Sequence, residues 1–356
     1  MANQIFDLPQ QRGTFQMRGI VSGVERNSFY SEKKTKRGDD FRSLYFQVRT
    51  GKDCAPHNIN MNGMVRDNVI FTRRENKERG ITKDVKKVPF KDRNTFVCPD
   101  DYSLMGVHLG LVQNTVDGKA ENEKVTLVEF DACKYIADHL KDDESVFVKG
   151  STEYSSYNGR HQTKFVPQQI SLCSKPIDFD ADDFTENAFF TQDMVFTGIQ
   201  FDKELGEAIV SAKIVGYNTI EDAVFYINPN DSEKVKKLMT NVKNKLKPYT
   251  SFTASGYMKG VEKVETVTED DGWGESNEMT RQSSPVERKM YITGIDPSTF
   301  DKETYSEEKM AEAQAKIVAN EQAKADFGSK KKEDKLPFDV DDWGSASAVS
   351  DDDDWI

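Results

Sequence analysis

Ser43-Leu44-Tyr45-Phe46-Gln47-Val48-Arg49 alternates strictly. Leu44, Phe46 and Val48 point one way; Tyr45, Gln47 and Arg49 point the other. A period of two with one apolar face is the mark of a half-buried strand. Working outward, Phe15, Met17, Gly19 and Val21 alternate with Gln16, Arg18 and Ile20, which predicts an earlier strand. A charged loop, Ser28 to Asp40, separates the two. It holds Phe29 and Tyr30 beside Lys33, Lys34, Lys36 and Arg37.

Residues 55–61 read as a shorter strand. Residues 64–110 fit no core strand and are expected to be an elaboration. They include a basic stretch from Arg73 to Arg93, with nine basic and four acidic residues. Val125 to Phe130 reads as a strand and Lys134 to Leu140 as a short helix or turn. Ser145 to Tyr154 is a strand leading to a turn at Asn158-Gly159, and Lys164 to Leu172 is the closing strand.

After an acidic linker at 176–188 the pattern begins again at Phe189. Val195, Thr197 and Ile199 alternate, and Ala208 to Val215 and Ala223 to Ile227 supply two more strands. Ser232 to Leu246 predicts a helix, because Val235, Leu238, Val242 and Leu246 recur every three or four residues. Tyr249 to Val261 and Met290 to Ile295 are strands. Thr266 to Pro285 is a long polar loop, Thr304 to Ala325 is helical by composition, and disorder is expected from Gly328.

The halves share a plan. Val146-Phe147-Val148-Lys149-Gly150 matches Phe252-Thr253-Ala254-Ser255-Gly256, each a strand running into glycine. The expected fold is mainly β: tandem OB-fold-like five-stranded barrels, a short helical segment and a disordered acidic C-terminal tail. The first domain covers 1–175, with its insertion at about 64–110. The second covers 189–300, a helix 301–327 and the tail 328–356.

Of the 356 residues, 31% are charged and 36% hydrophobic, with a net charge of −12. Residues 1–175 carry a net +5, residues 176–328 a net −12 and residues 329–356 a net −5. A basic front half suits phosphates and an acidic rear half suits partners. No apolar run is long enough to span a bilayer, and the four cysteines are too scattered for a disulfide framework. A soluble cytoplasmic protein is expected.

A barrel of this type binds single-stranded nucleic acid across strands two and three, with outward aromatics for bases and cations for phosphates. Tyr45, Phe29, Tyr30, Tyr154 and Tyr157 are the candidate aromatics. Arg18, Lys33, Lys34, Lys36, Arg37, Arg49, Arg73, Arg74, Arg160 and Lys164 are the candidate cations. The competing reading makes each a packing residue or an ordinary solvated charge. Cys54, His57, Cys98 and His108 are zinc-type ligands that could meet only if the insertion folds back. No phosphate loop, dinucleotide fingerprint or metalloprotease motif is present. A non-enzymatic protein without cofactor is expected.

The chain ends Asp351-Asp352-Asp353-Asp354-Trp355-Ile356, four acids running into two apolar residues. Adjacent like charges prevent such a tip from forming a core alone, but Trp355 and Ile356 would fit a greasy pocket rimmed by Lys or Arg. Asp341-Asp342-Trp343 repeats the theme. This ending resembles that of the single-stranded DNA-binding proteins of bacteria and their phages, whose acidic tips recruit enzymes of replication, recombination and repair. The barrel resembles theirs more loosely, through Ser43 to Arg49 and Val146 to Tyr157. The resemblance implies a protein that coats single strands and recruits partners through Asp351 to Ile356. A phage-encoded variant acting in the host cytoplasm fits better than a housekeeping one, because two barrels and a large insertion depart from the one-barrel pattern. Self-association is left open. A structural or assembly protein and a metal-dependent nuclease are the alternatives.

Overall fold

The computed structural model describes residues 4–35, 38–116, 119–157, 160–262 and 286–330. The chain opens with β1 (Gly13–Ser22), β2 (Tyr30–Lys34), β3 (Asp40–Arg49) and β4 (His57–Met64). An excursion follows: β5 (Asn68–Arg73), β6 (Asp84–Pro89), β7 (Ser103–Leu104), β8 (Val107–Gly110), β9 (Gln113–Val116), β10 (Lys119–Asn122) and β11 (Val125–Leu127). Then come α1 (Glu129–His139), β12 (Ser145–Tyr157) and β13 (Arg160–Leu172). The second half is β14 (Asn187–Asp202), β15 (Glu207–Val215), β16 (Ile220–Ile227), α2 (Glu233–Lys245), β17 (Ser251–Glu262), β18 (Val286–Asp301) and α3 (Glu307–Lys330).

The pairings close two barrels of the same topology. β1 pairs β3, β3 pairs β4, β4 pairs β13 in parallel, β13 pairs β12, and β12 returns to β1. In the second half β14, β15, β16, β18 and β17 close the same circuit, again with one parallel step, Tyr226 opposite Tyr291. Each ring has its helix between the third and fourth strands. Closure pairs most strand edges within each ring but leaves one edge of β1, Gly13 to Arg18, to a partner outside it.

The alternating apolar positions supply the interior. Phe15, Met17, Phe46, Val48, Ile59, Val148, Phe165 and Ile170 are none of them more than 1% exposed. Full burial of a side chain such as Phe46 stabilises by roughly 1.5–3 kcal/mol before cavity terms. Ala132, Cys133 and Ile136 of α1 pack into the first barrel, and Val235 and Val242 of α2 into the second. Gly63 lets α1 approach, since a Cβ there would stand 2.4 Å from Cα of Phe130. Ser232 caps α2 by accepting a hydrogen bond from N–H of Val235.

Several sequence-based expectations move. The excursion runs to Val128, past residue 110, because β8 adds in parallel to β13 and β11 pairs β8. Val125 to Phe130 is not one strand. β11 ends at Leu127 and Val128 is the N-cap of α1, which puts Phe130 in the helix. In β14 the inward residues are Ala188, Phe190 and Met194, and a bulge between Phe196 and Gly198 breaks the expected alternation of Val195, Thr197 and Ile199. α3 runs on through Gly328, the expected start of the tail.

The barrels join edge to edge. β1 pairs β14 antiparallel from Gly13–Gln192 to Arg18–Asn187. Around this seam each barrel sends its last hairpin across the other. On β12, Ser156 donates to Glu221 at 2.5 Å, and Thr152 donates to Gln192 at 2.8 Å. From the other side, N–H of Ala55 donates to the carbonyl of Gly260 at 3.2 Å, and Arg288 donates to that of Pro56 at 3.1 Å. A Cβ at Gly260 would lie 2.2 Å from the oxygen of Ala55, so that crossing requires glycine. The N-terminal segment packs Phe6 and Leu8 against Tyr305, Met310 and Ala313 at α3. No helix among the described residues is long and apolar enough to cross a membrane.

Candidate functional site

The outer face of β3 and β4 is built from alternation alone. With Leu44, Phe46, Ile59 and Met61 turned inward, the outward register pairs are Ser43–Asn62, Tyr45–Asn60 and Gln47–Asn58. Gln47 donates to Oδ1 of Asn58 at 3.0 Å and, more weakly, to the Tyr45 hydroxyl at 3.4 Å. The result is a half-buried tyrosine among uncharged amides, which can both donate and accept. Lys33 on β2, in register with Phe41, and Arg49 at the end of β3 share the outward parity of Tyr45 and are exposed, as are Lys34 opposite Asp40 and Arg66 beyond β4. From the second barrel, Arg288 comes close enough to Tyr45 to interact with it electrostatically. Such a face can stack a base on Tyr45, hydrogen-bond base edges through amides and meet phosphates with surrounding cations.

The asparagines and Arg288 were not singled out from sequence. The run His57-Asn58-Ile59-Asn60-Met61-Asn62 carries a signal: apolar and amide residues alternate as strictly as in β3. Nothing local in the sequence brings Arg288 to this face, because its position depends on the crossing hairpin.

Other candidates fall elsewhere. Phe29 is 6% exposed and belongs to the core, so it is corrected from stacking residue to packing residue; β2 folds its loop back, and the Phe29 carbonyl accepts from N–H of Tyr45 at 2.8 Å. Tyr30 is half-buried and donates to Glu32 at 3.0 Å, and burial and then this bond push its pKa up to about 12. Glu32 is itself held by Arg42 at 3.0 Å. Tyr154 is corrected likewise. Its hydroxyl is the buried end, donating to Sδ of Met290 at 3.7 Å, and burial raises its pKa well above the tyrosine range. It packs the junction between barrels. Arg73 is committed to Asp101 at 3.0 Å, to the carbonyl of Thr82 and to the ring of Tyr102, which makes it a brace of the insertion.

Arg18 is exposed on β1 opposite Asn187 and Phe147, at the seam rather than on the β3–β4 face. Arg49 lies 5.4 Å from the ring of Phe179, Arg74 is exposed, and Lys164 is half-buried opposite Glu153. Lys34 pairs loosely with Asp40 at 3.7 Å. Lys36, Arg37, the Asn158-Gly159 turn, the side chains of Tyr157 and Arg160, the internal Asp341-Asp342-Trp343 and the tip Asp351 to Ile356 lie outside the described residues.

The four zinc-type residues do not meet. Cys54 donates to Glu186 at 3.2 Å, Cys98 to the carbonyl of Tyr102 at 3.3 Å, and His108 shares a bond with Thr126 at 2.9 Å. His57 is fully buried with its ring edge-on to Phe165. Among the described residues no cluster of three or more metal-ligating side chains occurs.

A family model described as YorF matches residues 13–330. No curated protein matches the chain significantly. Two solved structures of the single-stranded DNA binding protein from Thermus aquaticus, the wild type and a deletion mutant, align at 8% and 9% identity. Both give a TM-score of 0.34, covering 81% of this chain and 93% and 94% of those chains. A likeness of that size carries no argument about function.

Proposed function

The chain belongs to the YorF family, and on the geometry of its first barrel we propose that it binds single-stranded DNA stoichiometrically, without turnover. The observation that carries this reading is the outer face of β3 and β4. Tyr45 lies among Gln47, Asn58, Asn60 and Asn62, and exposed cations stand on the same and flanking strands. A single strand exposes its bases to Tyr45 and the amides while its phosphates meet Lys33, Lys34, Arg49 and Arg66. A duplex hides those base faces, so single strands are preferred. The phosphate contacts make affinity fall as salt rises.

The acidic tip is the second part of the proposal. Asp351 to Asp354 would steer toward a basic rim, and Trp355 and Ile356 would anchor in an apolar pocket of a replication, recombination or repair enzyme. Deleting Asp351 to Ile356 is expected to preserve or strengthen DNA binding and to abolish recruitment.

The test is fluorescence anisotropy of a labelled oligo-dT, titrated at low and moderate salt beside a duplex competitor. Tight, salt-sensitive binding that duplex does not displace is the expected outcome. No binding to single strands at low salt would overturn the reading and favour an assembly role.

A further inference from the structure

A pocket of about 130 Å³ opens where the insertion meets the end of β4. Met64, Ile70, Phe90 and Met105 supply apolar walls, and Arg66, Asn68 and Glu129 supply polar groups. Met64 is the next outward residue after Asn58, Asn60 and Asn62, so the amide row of the candidate face leads directly into it. Met64 and Met105 are 46% and 62% exposed. Two exposed thioethers beside a cavity form a soft, polarizable lining suited to a flat aromatic guest. A cavity of roughly 150 Å³ accepts a benzene-sized molecule, and this one is on that scale.

The polar groups narrow the guest. Arg66 carries a cation suited to a phosphate. Glu129 would repel a phosphate and accepts only where it meets a donor, such as the exocyclic amino group of a base. From this juxtaposition we infer that the pocket seats one unstacked nucleobase bearing an amino group, and that Glu129 accepts from that group. The inference rests on the single-strand reading above and deepens it. The bases on β3 and β4 are held by stacking and amides, whereas one base at the end of the row leaves the stack and is read by its edge.

The experiment uses the full chain and an oligo-dT in which a single dC is walked along the strand. One register is expected to bind about fivefold tighter than all-dT, the low end of a single edge contact. Glu129→Ala, which removes the acceptor altogether, is expected to erase that preference, and all-dT affinity is expected to hold or rise because a charge that repels phosphate is lost. Loss of the negative charge of Glu129 at the start of α1 alone would not alter base preference. A 5-iododeoxycytidine at the favoured register is expected to photocrosslink to Met64, Phe90 or Met105. Binding with adducts confined to the Tyr45 strand, or a preference that survives Glu129→Ala, overturns the pocket assignment and leaves the single-strand reading standing. Failure of every oligonucleotide to bind overturns both. Met105→Ala checks the wall independently: its exposure makes it safe for folding, and it is expected to lower the dC preference.

Discussion

Tyr45 and His57 show how two residues on neighbouring strands acquire opposite roles from which way they point. Tyr45 faces out among amides. Truncating it removes one stacking surface without touching the core, and a stacked base is worth about 1–3 kcal/mol. Tyr45→Ala is expected to weaken oligo-dT binding by about fivefold or more, with an unchanged thermal melt. His57 faces in, 0% exposed, and among the described residues neither ring nitrogen has a hydrogen-bond partner. Burial, and secondarily the charge of Arg288, lower its pKa from 6.5 to about 4. The folded state therefore holds a neutral imidazole while the unfolded chain takes up a proton below about pH 6.5. Stability is full above that pH and falls progressively toward about pH 4, by about 2 kcal/mol between pH 7 and pH 5. In urea melts His57→Leu is expected to flatten that dependence; an equal pH slope in the variant would remove His57 as its source. Alternation made Tyr45 legible, because facing is a local property. Phe29 was not legible, since a phenylalanine in a charged loop reads the same whether the loop stands free or folds back onto a core.

At the level of elements, the glycines ending the two matched sequence segments mark one structural device used twice. The register of β12 shifts between Lys149 and Gly150, leaving Gln168 of β13 as the extra residue, and that of β17 shifts between Ser255 and Gly256, leaving Thr293 of β18 as the extra residue. A Cβ at Gly150 would lie 1.9 Å from the oxygen of Val166, and one at Gly256 1.8 Å from that of Tyr291. Each bulge bends the strand that holds the extra residue, and the facing glycine lets the two backbones stay close at the bend. Gly256→Ala is expected to cost about 1–3 kcal/mol, the usual penalty of overpacking, measurable by urea denaturation; an unchanged midpoint would show the strand can shift freely. These glycines were visible in the sequence as a repeat. The bulge in β14 and the start of α1 were not, because a bulge substitutes one apolar residue for another and Val128 has no side-chain cap to announce a helix.

For the whole molecule, the decisive bond is between barrels, and no periodicity reports it. Pairing of β1 with β14 buries an edge that would otherwise present free N–H and carbonyl groups along Gly13 to Arg18. A chain cut after Lys175 leaves that edge bare, and a bare edge recruits another strand. Such a fragment is expected to sediment as a dimer, while the full chain lacks this route. Light scattering showing a folded monomeric fragment would refute it. Charge told of two unlike halves, and the repeat told of two like folds. Their joining through first strands and crossed hairpins comes from tertiary contacts spread over more than a hundred residues of sequence.

The fastening of the two ends has a mechanical consequence. Pro9 accepts a hydrogen bond from the Tyr305 hydroxyl at 3.0 Å, and Phe6 and Leu8 share one apolar cluster with Met310 and Ala313. A pulling force applied at the two ends of the folded body meets this clasp first, while both closed rings lie behind it. Under tension the chain would release a short length as the clasp peels, then hold until a ring tears. Any load applied at the end of α3 would thus be taken up by a small latch before it reached the face that carries Tyr45.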